Sequence, residues 1–225
     1  MMETKEYCFE GMYEPAEAAR YIAYSLNKTM PFTVESRKII RWMQKGLSDP
    51  SAKRETGRHL LLSFEDFISM RIISALRAAG VSFPKIYTAE DWLRKTTGHK
   101  SPFATEMLWT EKSDVFVKMK EQLIAASKYG QLAFDLLENH IVPVNGIRFN
   151  DTTSIAIEWS PTQGILFNPK IHFGAPCIAG TRIPTSAIWA MVKGGDTPSF
   201  VASSYEIPLD EVLTAFEWEE SARRN

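Results

Sequence analysis

The chain has 225 residues, of which 44% are hydrophobic and 24% charged, with a formal net charge of -1. This length can bury a core sufficient for two modest domains. The absence of any run of roughly eighteen apolar residues excludes a membrane-spanning helix, and the first residues lack the apolar centre of a signal peptide, so a cytoplasmic protein is expected. Cys8 and Cys177 are too few for a disulfide framework and offer no metal-ligand spacing.

The near-zero net charge conceals an uneven distribution. From Lys28 to Arg58, Lys28, Arg37, Lys38, Arg41, Lys45, Lys53, Arg54 and Arg58 face only Glu35, Asp49 and Glu55. From Asp196 to Glu220 every charge is negative. Polyanion contact therefore belongs to the front of the chain, and the rear should repel phosphate.

In chain order, Pro15 opens a predicted helix through Leu26 with Ala18, Ala19, Ile22 and Leu26 on one face. A second helix runs from a capping Thr33 to Gly46, with Val34, Ile39 or Ile40, and Met43 inward, and Trp42 also in the core. Its outer surface carries Arg37, Lys38, Arg41 and Lys45, three or four residues apart, with Thr33 and Ser36 at its start. The polar stretch from Ser48 to Gly57 reads as a wing. Ser63 with Asp66 three residues on is an N-terminal capping signature for a helix ending at Gly80, and Ser82-Phe-Pro84 starts another with Ile86, Ala89, Trp92 and Leu93 apolar.

Tyr13 with Glu17-Ala18-Ala19, Arg41-Trp42, Leu61-Leu-Ser-Phe-Glu-Asp66 and Leu76-Arg77 before Gly80-Val81-Ser82 resemble the winged helix-turn-helix of MerR regulators over about residues 12 to 98. The turn from Asn27 to Phe32 is longer than that pattern, and no effector cysteines follow. The resemblance implies DNA binding without metal sensing. Arg37 or Arg41 would read bases, while Lys53, Arg54 and Arg58 would hold the phosphate backbone.

The middle region suggests a hairpin over Met107 to Lys118, helical material after it around Leu123 to Leu137, and a strand pair formed by Asn145-Gly146 with Ile155 to Trp159. Beyond it, Gly180 and Pro184 punctuate the entry to a helix from Ser186 to Lys193 that ends at Gly194-Gly195. Asp196 or Thr197 caps a second helix with a Phe200, Val201 and Tyr205 stripe, and Pro208 opens a third with Leu209, Val212, Leu213 and Phe216 inward. Trp218 falls partly off that face and is a candidate exposed interface anchor.

Asn168-Pro169, Gly174, Pro176, Ile178, Gly180-Thr181-Arg182, Pro184, Gly195, Val212 and Ala215 form an ordered set over roughly sixty residues that resembles the domain of unknown function recurring in VapB-type antitoxins. Ser203 to Ile207 replaces the short glycine turn of that pattern, which predicts a reshaped second turn. The resemblance implies a PIN-like ribonuclease toxin as partner, with Arg182, Tyr205 and Trp218 as candidate contacts. Arg182 also has a structural reading, in which it braces its own turn.

The expected fold is mainly α with small β elements: a winged helix-turn-helix at 1-100, a mixed hairpin/helix connection at 101-163 and a three-helix, helix-turn-helix-like domain at 164-225. His59, His99, His140 and His172 are isolated, with no phosphate-cradling loop or nucleophile elbow, so catalysis, metal and cofactor are not expected. The resulting expectation is an antitoxin that acts as a homodimer, neutralises its toxin and represses its operon by binding operator DNA. The alternative is a stand-alone MerR-like regulator with a dimerising rear domain and a small ligand near Trp109, Phe116 and Tyr129.

Overall fold

The computed structural model of the chain describes residues 11–27, 33–48, 60–106 and 146–224. Among them are seven α-helices and a four-stranded antiparallel sheet in the order β1-β2-β3-β4. The helices are α1 (Pro15–Asn27), α2 (Ser36–Gln44), α3 (Phe64–Ala78), α4 (Phe83–Thr97), α5 (Thr185–Gly194), α6 (Pro198–Tyr205) and α7 (Leu209–Arg224). The strands are β1 (Ile147–Phe149), β2 (Ala156–Thr162), β3 (Ile165–Phe167) and β4 (Cys177–Ile178).

The front helices follow their sequence signals. In α1, Ala18, Ala19, Ile22 and Leu26 are buried as their spacing requires. Ser63 and Asp66 form the reciprocal capping box at the start of α3, each side chain satisfying a backbone N–H of the other's residue. Thr33, expected to cap α2, is exposed and lies ahead of the helix. The adjacent Val34 is buried, which holds 33–35 extended and leaves Glu35 at the cap without a side-chain hydrogen bond. The α1–α2 turn at 28–32, the wing expected at 49–59 and the hairpin and helix expected within 107–145 lie outside the described residues.

The expected strand pair forms, but its turn lies elsewhere. Gly146 precedes β1, and β1 returns to β2 through 150–155, where the Asn150 Oδ1 accepts from the backbone of Thr152 and Thr153 at 2.9 Å each. A boundary at 163/164 would fall inside the β2–β3 hairpin, so one sheet joins the connecting region to the rear domain. The 100/101 boundary is crossed as well: the buried turn Pro102–Ala104 packs on α3 and α4, and Thr105 bridges to Ile155 beside β2.

One aromatic cluster spans front and rear. Tyr13 stacks on Phe67 at 4.6 Å, Phe67 meets Trp159 at 5.5 Å, and Trp159 meets Phe167 at 5.2 Å. Trp218 of α7 then packs edge-on against Tyr24 of α1 at 4.3 Å. Tyr13 also donates its hydroxyl to the Gly174 carbonyl at 2.8 Å. Gly174 has a φ of +91, and an added Cβ would fall on that hydroxyl, so only glycine fits there. A smaller cluster of Ile178, Ile188, Val201, Ala202, Val212 and Ala215 holds α5, α6 and α7 together.

The rear helices begin and end near their predicted positions. Thr197 caps α6 by accepting from Phe200 N, and Gly195 closes α5 in the left-handed region. Of the predicted α6 stripe, Val201 is buried while Phe200 is exposed. The second turn closes through Glu206 at φ 54, the conformation a glycine would favour, with Ile207 N bonded to Ala202 O at 3.1 Å.

The phase of α7 differs from its prediction. Its buried side is Val212, Ala215, Trp218, Glu219 and Ala222, whereas Leu209 and Leu213 face outward. Apolar residues occupy two arcs of this helix, and the aromatic cluster claims the one that contains Trp218.

Candidate nucleic-acid interface and partner surfaces

Ile39, Trp42 and Met43 seat α2 against α1, while Arg37, Arg41, Gln44 and Lys45 are exposed on the opposite side. Residues 37, 41 and 45 follow one another at four-residue intervals, so they form a single row along the helix. Among the described residues, Arg37 and Arg41 have neither a side-chain hydrogen bond nor an ion pair. Lys45 sits over the Phe83 ring at 5.1 Å. Lys38 is half-buried and pairs with Glu35 at 2.9 Å, which partly neutralises it. Ser36 is half-buried at the first position of the helix. Lys53, Arg54 and Arg58 fall outside the described residues, as do Trp109, Phe116 and Tyr129.

A buried polar clamp fixes the end of this element. Ser48 has a φ of 68, its N–H donates to Glu90 Oε1 at 2.8 Å, and its hydroxyl bonds to Asp66. Arg94 completes the clamp by donating to the Ser48 carbonyl at 2.6 Å and pairing with Glu90 at 3.3 Å. Burial pushes the Glu90 carboxyl up to about 8, against the lowering influence of Arg94 and the Ser48 N–H. Sequence reading finds Asp66 only as a capping residue. The partnership of Ser48 with α3 and α4 is long-range, and no local pattern signals it.

At the rear, Ile178 N bonds to Ile183 O at 3.0 Å and closes the Ala179–Arg182 turn. The brace is Thr181, whose hydroxyl donates to Ile178 O at 2.9 Å and accepts from Ile183 N at 3.0 Å. The Arg182 carbonyl meets His172 Nε2 at 2.7 Å, but its exposed side chain makes no hydrogen bond or ion pair among the described residues. The bracing role considered for its guanidinium is therefore filled by threonine. Arg182 is instead a cation projecting from a fixed turn.

The three candidate partner contacts do not share one surface state. Tyr205 is half-buried against the α5–α7 cluster. Trp218 is 1% exposed and cannot anchor an external partner, because the front–rear aromatic cluster encloses it. Below it, buried Glu219 accepts from Thr185 at 2.7 Å and from Arg223 at 3.0 Å. Glu220 accepts from the Trp189 indole at 2.6 Å and pairs with Lys193 at 3.0 Å, tying α7 to α5.

Among the described residues, no group of three His, Cys, Asp or Glu is placed to hold a metal ion, and no helix is long and apolar enough to cross a membrane. Burial raises the Cys177 thiol to about 11, which leaves it protonated at neutral pH.

Comparison with known proteins gives three findings. Residues 165–218, from the first residue of β3 to Trp218 in α7, match the family described as "Protein of unknown function (DUF433)". The chain is 22% identical over 175 residues to the "Putative antitoxin VapB45" of Mycobacterium tuberculosis, covering 72% of this chain and 73% of that protein. Its fold is similar to the crystal structure of Rv2018 from Mycobacterium tuberculosis, with a TM-score of 0.62 and 21% identity over 90% of this chain and 95% of that one. The chain thus has an antitoxin-like sequence over most of its length, with the unknown-function family segment at its rear.

Proposed function

We propose that the chain is the antitoxin of a type II toxin–antitoxin system, which neutralises a PIN-like ribonuclease toxin and represses its own operon in the cytoplasm. The observation that carries the DNA half is the exposed Arg37–Arg41–Lys45 row on a helix whose other side is locked into the core. The toxin half is supported by likeness to a named antitoxin. On this reading α1 and α2 act as a MerR-like helix-turn-helix, with α2 in the major groove. Arg37 or Arg41 reads a base edge, and Lys45, Lys53, Arg54 and Arg58 contact phosphate. A homodimer presents two such helices to two half-sites.

Toxin neutralisation requires a contact rather than a reaction. The Arg182 fork suits carboxylates that would otherwise hold a catalytic metal ion, and its turn already fixes its position. Occupancy of that site by toxin alters promoter affinity to the extent that the two binding events are coupled.

Two measurements test the reading. Mobility shift of the promoter DNA by the full chain should be lost in Arg37→Ala/Arg41→Ala; undiminished binding would remove α2 as the reader. Co-expression with the product of the neighbouring gene should yield a complex and relieve any growth arrest that product causes. If arrest persists with both proteins present, the antitoxin assignment fails.

A further inference from the structure

The outward side of α7 carries an apolar pair that stays exposed and against which no described residue packs. Leu209 and Leu213 are one helical turn apart and 43% and 42% exposed, although Val212 and Ala215 beside them are fully buried. The helix therefore has a complete inner face and a second, unpartnered one. Asp210 and Glu217 are seven residues apart, so they flank Leu213 from the same side, and Glu206 precedes Leu209 by three residues. All three acids are exposed, and none of their carboxylates has a hydrogen bond or ion pair among the described residues. Lys193 of α5 and Arg224 at the end of α7 are both engaged by Glu220.

Charge decides what fits this face. Nucleic acid and anionic lipid surfaces are repelled by it. A second copy docked about a two-fold axis would set Asp210 and Glu217 against their own equivalents. The α2 row of another copy is basic, but its exposed side of Arg37, Arg41, Gln44 and Lys45 offers no apolar centre to the leucines. A different protein with an apolar centre and a basic rim satisfies both the leucines and the carboxylates.

We infer that the Leu209–Leu213 face of α7 is the docking surface for a protein partner whose contact face is apolar at its centre and rich in lysine or arginine around it. That partner is taken to be the product of the neighbouring gene, and only its identification as the toxin rests on the antitoxin reading. The leucines supply the desolvated centre of the contact. The surrounding acids, Glu206, Asp210 and Glu217, steer a basic face toward it and fix its orientation.

The test is a calorimetric titration of the full chain with the purified product of the neighbouring gene at low and high salt. Leu209→Ser/Leu213→Ser should weaken binding by about tenfold or more. Asp210→Lys/Glu217→Lys should weaken it and reduce its salt dependence. Both variants should retain the wild-type thermal transition. If the wild-type complex forms and both variants bind equally well, the partner docks elsewhere and this inference fails while the antitoxin reading stands. If the variants weaken the complex but the wild-type chain does not inhibit the partner, the face stands and the antitoxin reading fails. Absence of any wild-type complex overturns both. Self-association in sedimentation that the serine pair abolishes would assign the face to a second copy and overturn the inference.

Discussion

Helices α2 and α7 each bury one arc and expose the other, but the exposed arc of α2 carries Arg37, Arg41 and Lys45, while that of α7 carries Asp210 and Glu217 around Leu209 and Leu213. Both inner arcs belong to the same aromatic core, α2 through Ile39, Trp42 and Met43 and α7 through Trp218 and Ala222. The contrast teaches that one core presents two surfaces of opposite charge. On the proposed reading each would select partners the other rejects, and a change in the shared core should affect both.

The largest effect is expected where that core joins front to rear. Trp218→Ala removes a side chain packed against Tyr21, Tyr24 and Phe167, and should cost about 3–5 kcal/mol. Chemical denaturation should show α1 and α7 losing structure together. Separate transitions, with the front untouched, would break the picture of a shared core.

The clamp under α2 predicts a pH effect. Glu90 binds its proton more tightly folded, with its carboxyl raised to about 8, than unfolded, at an ordinary value of 4.5. The folded state holds the extra proton between those values, so this group's stabilising contribution is full below pH 4.5 and is lost as pH rises through 8. Glu90→Gln should accordingly raise the melting temperature at pH 8–9 by several degrees, given roughly 2–4 °C per kcal/mol at this length, relative to its effect at pH 5. A difference of the opposite sign would mean that the ion pair with Arg94 outweighs burial.

Smaller effects concern single backbone positions. Gly174→Ala places a Cβ on the Tyr13 hydroxyl at a left-handed φ and should destabilise by more than about 1 kcal/mol, measured by thermal melting. Glu206→Gly relieves the left-handed conformation at the α6–α7 turn and should be neutral or stabilising by up to about 1 kcal/mol. A clear loss at Glu206 would show that its carboxylate has a structural partner and would weaken its place on the acidic face.

Local signals in the sequence carry much of this architecture. Pro15, the Ser63–Asp66 pair, Gly80, Thr197 and Gly195 mark helix ends because capping chemistry acts within one turn. Strands β3 and β4 are three and two residues long, too short for any alternation to show. The phase of α7 is ambiguous in sequence because both of its arcs are apolar, and only contact with Tyr24 and Phe167 chooses between them. The row on α2 is legible because exposed charge needs no tertiary partner. The Ser48–Glu90 clamp is not, because its residues meet across 42 positions of sequence.

The central claim is that the front basic row, and not the rear acidic face, meets DNA. Its most direct measurement is the salt dependence of promoter-DNA affinity by fluorescence anisotropy, for the wild-type chain, Arg37→Ala/Arg41→Ala, and Asp210→Asn/Glu217→Gln. The arginine pair should weaken affinity and reduce the slope of log affinity against log salt by about 1, the charge that the arginine not reading a base edge brings to the phosphates, while the acidic pair leaves the slope unchanged. An unchanged slope in the arginine pair, or a shift confined to the acidic pair, would contradict the account.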